Sequence, residues 1–297
     1  KKVVVLSLCL KKQNKCYFNL KQHKEFYSMN NNTFNLGVIG LGPRAETLLA
    51  TLRDFSQEEC CVTAVCDINP DRINFTCELF KKHNLPVPAV YSKHTELLAD
   101  KNVDAVLIPT SWNSHLAIAK DAMKAGKYAG IEVGGASSVE ELWQLVHNAQ
   151  EFGGSCMMLE NCCYGRRELM ALNMARKGLF GSVVHCSGGY MHDLRSEVCY
   201  GKENRHYRLR NYLARNGENY PTHELGPIAK IHKITSGNRF VKLVSMSSKA
   251  QGMHEYIMSK PEYRDRLGDV VFKQGDVTTT MIRCENGETV FLKLDTT

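Results

Sequence analysis

The run Leu36-Gly37-Val38-Ile39 reads as a buried strand and opens directly into Gly40-Leu41-Gly42-Pro43-Arg44-Ala45, after which a helical pattern continues through Glu46 to Arg53. A Gly-x-Gly-x-x-Ala turn between strand and helix leaves few folds open. Gly40 permits the tight turn, Gly42 lets a ligand approach the backbone, and Ala45 is small enough for the helix to pack closely on the strand. The first N–H groups of that helix then point out of the turn, where a phosphate binds well. Arg44 adds a charge-assisted contact. Cys61-Val62-Thr63-Ala64-Val65-Cys66 is the second strand, and Asp67 ends it. A carboxylate about 20 residues beyond the turn accepts from ribose hydroxyls and repels a 2′-phosphate. The expected ligand is NAD rather than NADP.

The alternation continues. Pro70 starts a helix where its missing N–H does no harm. Strands follow at Ala89–Tyr91, Val103–Ile108 and Tyr128–Glu132, with a helix from Ser114 to Lys124 that Gly126 ends. Ser138 caps a further helix with Glu141 as its capping-box partner, and Ser155–Leu159 closes the series. Strands separated by helices imply crossover connections and a parallel, doubly wound sheet. After Glu160 the pattern changes. A helix from Tyr164 to Arg176 leads to a strand at Val183-Val184-His185-Cys186 and a long stretch rich in Tyr, Arg and Asn. A helix at Leu225–Thr235, a strand at Phe240–Ser247 and a hairpin of Val277–Cys284 with Glu288–Leu294 around Asn286-Gly287 complete it. The expected fold class is α/β: a non-domain leader (1–35), a Rossmann domain (36–160) and a substrate-binding α+β domain (161–297) with a mostly antiparallel sheet. The chain stops just after a strand, so the second domain is expected to be incomplete.

Composition narrows the function. With 43% hydrophobic and 23% charged residues among 297, the chain is globular, and no apolar run reaches the length of a membrane span. The net charge of +7 comes from seven lysines in the first 24 residues; without them the balance is near zero, which argues against nucleic acid as a partner. The apolar stretch after Lys1-Lys2 resembles the start of a targeting segment but lacks a cleavage site. The twelve cysteines include no C-x-x-C pair and no zinc-like spacing with histidine, so no metal is expected. Free, core-type cysteines fit a reducing, cytoplasmic compartment, while the leader leaves export open. Asn31-x-Thr33 and Asn74-x-Thr76 are read as chance glycosylation patterns. A homo-oligomer is left open.

Further strand ends should converge on the nicotinamide side: Trp112-Asn113-Ser114-His115 after the fourth strand, Glu132-Val133-Gly134-Gly135 after the fifth, and Glu160-Asn161 after the last. Trp112 has an alternative reading as a loop anchor, and His115 as a helix-start residue.

Together with Asn161-Cys162-Cys163-Tyr164-Gly165-Arg166 and Tyr220-Pro221-Thr222-His223-x-Leu225-Gly226-Pro227, these motifs resemble the Gfo/Idh/MocA oxidoreductase superfamily. Within it they most resemble the NAD-dependent α-N-acetylgalactosaminidases of glycoside hydrolase family 109. The resemblance implies NAD contacts at Gly40, Gly42, Pro43, Arg44, Asp67, Trp112, Asn113, Ser114, His115, Glu132, Val133 and Asn161. It implies substrate binding by Tyr190, Arg208, Tyr220, Pro221, Thr222 and His223, and places Tyr164 among the catalytic residues with Tyr220 and His223. The implied reaction oxidises C3 of a terminal α-linked N-acetylgalactosamine, eliminates the C1 group after loss of the C2 proton, adds water and reduces C3 again with retention. Paired carboxylates are not required.

One departure is chemical. Sugar dehydrogenases of the superfamily usually carry Glu-Lys-Pro after the fifth strand, with the lysine relaying a proton. This chain has Glu132-Val133-Gly134, and a valine relays none. The base must come from the second domain. Histidine suits bidirectional proton transfer near neutrality, so His223 is assigned to the leaving group. A tyrosine needs a nearby cation to act as base; Arg208 is the candidate for Tyr220, assigned to C3/C2. Against this stand ordinary roles: tyrosines as packing residues, Arg208 within a solvated run with Arg205, Arg210 and Arg215, and His192-Asp193 as support. The competing functions are an NAD sugar or polyol dehydrogenase and a non-catalytic NAD-binding protein.

Overall fold

A computed structural model describes residues 33–53, 60–134 and 136–297. The lysine-rich leader to residue 32, including Asn31, and Gly135 lie outside the described residues. Strand β1 (Phe34–Ile39) takes in two residues expected in the leader. Helix α1 (Pro43–Arg53), β2 (Cys60–Cys66), α2 (Pro70–Lys82), β3 (Ala89–Tyr91), α3 (His94–Ala99), β4 (Ala105–Ile108), α4 (Trp112–Lys124), β5 (Tyr128–Ile131), α5 (Val139–Phe152) and β6 (Cys156–Met158) follow. The sheet order is β3-β2-β1-β4-β5-β6, parallel throughout. The order reverses between β1 and β4, where such sheets bind ligands.

The strands are apolar on both faces because helices cover both. One core joins Ile39, Val106, Ile108 and Ile131 to Ile118, Ala119 and Ala122 of α4. The other joins Val38 and Val65 to Ala45 and Leu49 of α1 and Phe80 of α2. The Ser138 cap accepts from the Glu141 N–H, while the Glu141 carboxylate bonds the Ser137 N–H, one residue earlier than a standard capping box.

A 3-10 turn (Asn161–Tyr164) leads into the second domain: α6 (Arg166–Arg176), β7 (His185–Met191), α7 (Arg195–Cys199), α8 (Arg208–Ala214), α9 (Pro221–Ile231), β8 (Phe240–Ser247), α10 (Gly252–Met258), α11 (Pro261–Leu267), β9 (Val277–Cys284) and β10 (Thr289–Asp295). Its sheet, β7-β10-β9-β8, is antiparallel except for β10 with β7. Gly287 turns the hairpin at φ +101.

Two expectations are corrected. The strand placed at Val183–Cys186 lies downstream and carries Tyr190. Gly188 and Gly189 weaken the strand pattern there, yet a Cβ at Gly188 would stand 2.9 Å from that of Glu224, so glycine is what lets α9 press on β7. Helix α9 begins at Pro221 rather than Leu225, with proline at its first position. Thr222 and His223 therefore sit in a helical first turn, not in a loop.

Candidate active site

The glycine turn is built around Asp67. Its Oδ2 accepts the Leu41 N–H at 2.7 Å, and its Oδ1 accepts the backbone and side-chain N–H groups of Asn69, each at 2.8 Å. A carboxylate offers about four acceptor sites, so Asp67 braces the turn and keeps capacity for a ribose hydroxyl. Gly40 adopts φ +97, and a Cβ there would lie 2.6 Å from the Thr110 side chain. At Gly42 the nearest obstacle is the Arg72 guanidinium at 3.5 Å, which also lies 3.7 Å from Asp67. A cradle closed to side chains at Gly40 and open at Gly42, with a braced carboxylate beside it, fits a dinucleotide. Arg44, expected on phosphate, reaches Glu132 at 2.8 Å and so links the starts of two binding loops. Pro43 opens α1, Asn113 is exposed on the first turn of α4, and Ser114 bonds the Thr110 hydroxyl at 2.8 Å.

Three residues expected at the cofactor are buried and packed: His115, Trp112 and Val133. His115 is 0% exposed. One ring nitrogen bonds the Thr110 carbonyl at 3.0 Å, and burial lowers its pKa below the ordinary histidine value; it braces the loop after β4. Trp112 packs against Tyr207 and Tyr220, with ring centroids 4.9 and 5.3 Å apart. A Cβ at Gly134 (φ +96) would overlap its indole. Val133 is buried in the same cluster, with Leu194, Tyr212 and Tyr220 of the second domain. Trp112 and Val133 are thus the apolar joint between the domains. The Arg205–Asp71 ion pair also crosses it, but exposed pairs contribute little.

On the second domain Tyr190, Tyr220 and His223 form a ring stack. Tyr190 lies on Tyr220 at 4.6 Å and 19°, Tyr220 on His223 at 5.6 Å and 13°, and Tyr190 faces His223 at 5.3 Å. Arg208 donates two N–H groups to the Tyr220 phenol oxygen, at 2.5 and 3.0 Å. It is itself held by Glu197 at 2.6 Å. Burial opposes the charge on Arg208, but Tyr207, Tyr220 and Glu197 outweigh it and raise its pKa. Arg208 is therefore no member of a solvated run: it places a fixed cation on the Tyr220 oxygen. Burial pushes the Tyr190 phenol up to about 12. That makes Tyr190 a donor and stacking surface, and its hydroxyl meets His192 Nδ1 at 2.8 Å.

Glu160 completes the arrangement. Its Oε1 meets His223 Nδ1 at 2.7 Å and accepts the Cys162 N–H at 2.9 Å. Burial works against the carboxylate, but His223, Thr222 and the Cys162 amide bring its pKa below the usual range. An ionised carboxylate only accepts, so His223 Nδ1 carries the hydrogen and Nε2 is left for chemistry. Sequence reasoning places Glu160 at a strand end on the nicotinamide side but gives it no role; its pairing with His223 comes from the structure. The Tyr-Pro-Thr-His-x-Leu-Gly-Pro string now has a physical reading. Pro221 starts the helix, His223 and Gly226 share a face, and a Cβ at Gly226 would lie 2.7 Å from Cys163 Sγ and 3.4 Å from Glu160 Cγ. Pro227 lies inside the helix; having no N–H, it leaves the His223 carbonyl without its usual helical donor.

Tyr164 is half-buried at the end of the 3-10 turn. Its ring carries Lys230 Nζ at 4.3 Å, which also reaches the Cys163 carbonyl. Asn161 is exposed and directs its amide at Cys162. Glu160, Cys162 and His223 each present one potential metal-ligating atom, all within 4.8 Å of one another. Sequence spacing hid this group because His223 comes from another domain. All ten described cysteines are unbridged, and among the described residues no helix is long and apolar enough to cross a membrane.

Residues 34–159 match the family described as "Oxidoreductase family, NAD-binding Rossmann fold", and residues 164–297 match "Glycosyl hydrolase 109, C-terminal domain". The chain is 34% identical over 299 residues to an alpha-N-acetylgalactosaminidase of Tannerella forsythia, pairing 93% of this chain with 64% of that one. It is 37% identical over 270 residues to an alpha-N-acetylgalactosaminidase of Shewanella oneidensis, with 88% and 58% covered. The chain thus spans less than two thirds of the length of these relatives. A scyllo-inositol dehydrogenase from Lactobacillus casei with bound NAD(H) and scyllo-inositol shares the fold, at a TM-score of 0.65 and 13% identity over 89% of this chain and 71% of that one. The first domain is an NAD-binding domain. Residues 34–159 thus carry an NAD-binding Rossmann domain of the Gfo/Idh/MocA oxidoreductase family, and residues 164–297 carry a C-terminal domain of glycosyl hydrolase family 109.

Proposed function

We propose that the protein hydrolyses glycans at terminal α-linked N-acetylgalactosamine, with retention, through oxidation, elimination, water addition and reduction. The observation that carries this is Arg208 on the Tyr220 phenol, stacked against a Glu160-oriented His223, in a chain whose Val133 occupies the usual lysine position inside an apolar joint. When bound, NAD supplies reversible oxidation at C3. Gly40, Gly42, Arg44, Asp67 and Glu132 would hold it.

Tyr220 takes the C3 hydroxyl proton as the hydride leaves C3, passes it to water, and then takes the C2 proton, while two Arg208 N–H groups hold its oxygen in place. His223 works at the leaving oxygen through Nε2: Glu160 fixes its tautomer and stabilises the imidazolium, much as a buried carboxylate orients histidine in hydrolases. Tyr190 supplies a flat surface for the sugar ring and a hydroxyl donor. Pro221 and Thr222 set the helix turn that aims His223. Tyr164, with Lys230 on its ring, borders the approach.

The second reading, a sugar or polyol dehydrogenase, would place the base on Tyr220 alone and release an oxidised sugar. The test incubates the protein with an aryl α-N-acetylgalactosaminide and no added NAD. Phenol release with no net NADH supports the glycosidase, and NADH accumulating on a free sugar supports the dehydrogenase. NAD recovered from denatured protein with neither signal points to a binding protein.

A further inference from the structure

We propose that Glu160, Cys162 and His223 form a binding site for a transition-metal dication of the zinc class, and that its occupancy silences His223. The three side chains come from the end of β6, the 3-10 turn and the first turn of α9. They offer oxygen, sulfur and nitrogen, a donor set suited to zinc rather than to calcium or magnesium. Their ligating atoms lie within 4.8 Å of one another. Tetrahedral coordination at zinc bond lengths sets ligands roughly 3.3–3.6 Å apart, so closing the group on a metal calls for shifts of no more than about 1.5 Å.

A second observation points the same way. Glu160 is 5% exposed, and its Oε2 is buried with no hydrogen-bond partner, while Oε1 takes both the Cys162 amide and His223. The Thr222 hydroxyl, itself without a hydrogen bond of full geometry, is the group near enough to favour this charge; a cation would be the stronger partner for a buried carboxylate oxygen. Cys162 is half-buried and Asn161 beside it is exposed, so the group lies close to solvent. Burial, aided by Glu160 and Glu168, pushes the Cys162 thiol up to about 11, so coordination must displace its proton. The metal takes the His223 lone pair and the Glu160 charge together. Only this consequence for turnover rests on the function proposed above; the site itself does not.

The test titrates the NAD-loaded protein with Co²⁺ and follows the thiolate-to-cobalt charge-transfer band. Expected is one equivalent bound with that band, displacement by Zn²⁺, loss of the band in Cys162→Ser and Cys162→Ala, and at least roughly tenfold weaker binding in Glu160→Gln. No thiolate band in the wild type, or a band that survives both Cys162 variants, overturns the proposal. Zn²⁺ should also stop aryl-glycoside hydrolysis by the wild type while sparing Cys162→Ser, which keeps its basal activity. A Cys162-dependent cobalt band without zinc inhibition would uphold the site, overturn its silencing of His223 and count against His223 as the acid/base.

Discussion

Replacing Glu224 by glutamine should change how stability depends on pH. Glu224 is 7% exposed, beneath Gly188 of β7, and the Tyr190 amide stands near its carboxylate without forming a hydrogen bond of full geometry. Burial, and then the nearby Glu218, push its pKa from 4.5 up to about 8, against the pull of the Tyr190 amide. The folded state therefore holds a proton that the unfolded chain has lost throughout that window. A raised carboxyl pKa means that the stabilising contribution is complete at low pH and disappears as pH rises towards the folded value. The loss runs at up to about 1.4 kcal/mol per pH unit, with an upper bound of about 5 kcal/mol across the window. Glu218, which burial pushes up to about 7, slopes the same way in both proteins and largely cancels in their difference. Urea unfolding of wild type and Glu224→Gln between about pH 5 and about pH 8 should show the variant gaining on the wild type by about 3 kcal/mol. Parallel stability curves would refute the reasoning, because a pH-independent gap means Glu224 is already ionised in the fold.

Other expectations follow from the same geometry. Glu160→Gln keeps an acceptor for His223 but loses the charge, so kcat should fall about 10²–10⁴-fold with NAD affinity unchanged in a direct binding assay. Tyr220→Phe removes the oxygen that Arg208 holds; turnover should drop about 10²–10⁴-fold, and C2 exchange of substrate with D2O should drop with it. Gly226→Val drives a side chain into Cys163 and should lower stability by about 1–3 kcal/mol in thermal unfolding. Asp67→Ala strips the turn of its brace and should weaken NAD binding about 10–100-fold by titration, as expected for lost charge-assisted hydrogen bonds.

The first domain was legible because its rules are local. The glycine turn, the strand runs and the Ser138 cap each declare an element within a few residues, and their alternation dictates a parallel sheet. The second domain resisted where tertiary packing overrides local preference. Gly188 and Gly189 read as breaks but serve as the landing strip for α9, and short helices such as α7 and α8 take their stability from the tyrosine-rich joint. The candidate site divides the same way. Asp67 was found by spacing from the turn, and the Tyr220–His223 string by resemblance. Glu160 needed coordinates, since its partner lies far along the chain. Trp112 and His115 show how spacing hides burial: both are packed against the loops that follow β4 and β5, which the sequence does not reveal.

Hydrolysis of an α-N-acetylgalactosaminide in D2O, followed by mass and NMR analysis of the released sugar, tests the central claim most directly. If Tyr220 removes the C2 proton and exchanges it with solvent before C2 is reprotonated, the sugar carries deuterium at C2 and keeps its anomeric configuration. A product released at full rate with its original C2 hydrogen would contradict elimination, and with it a redox part for NAD in hydrolysis.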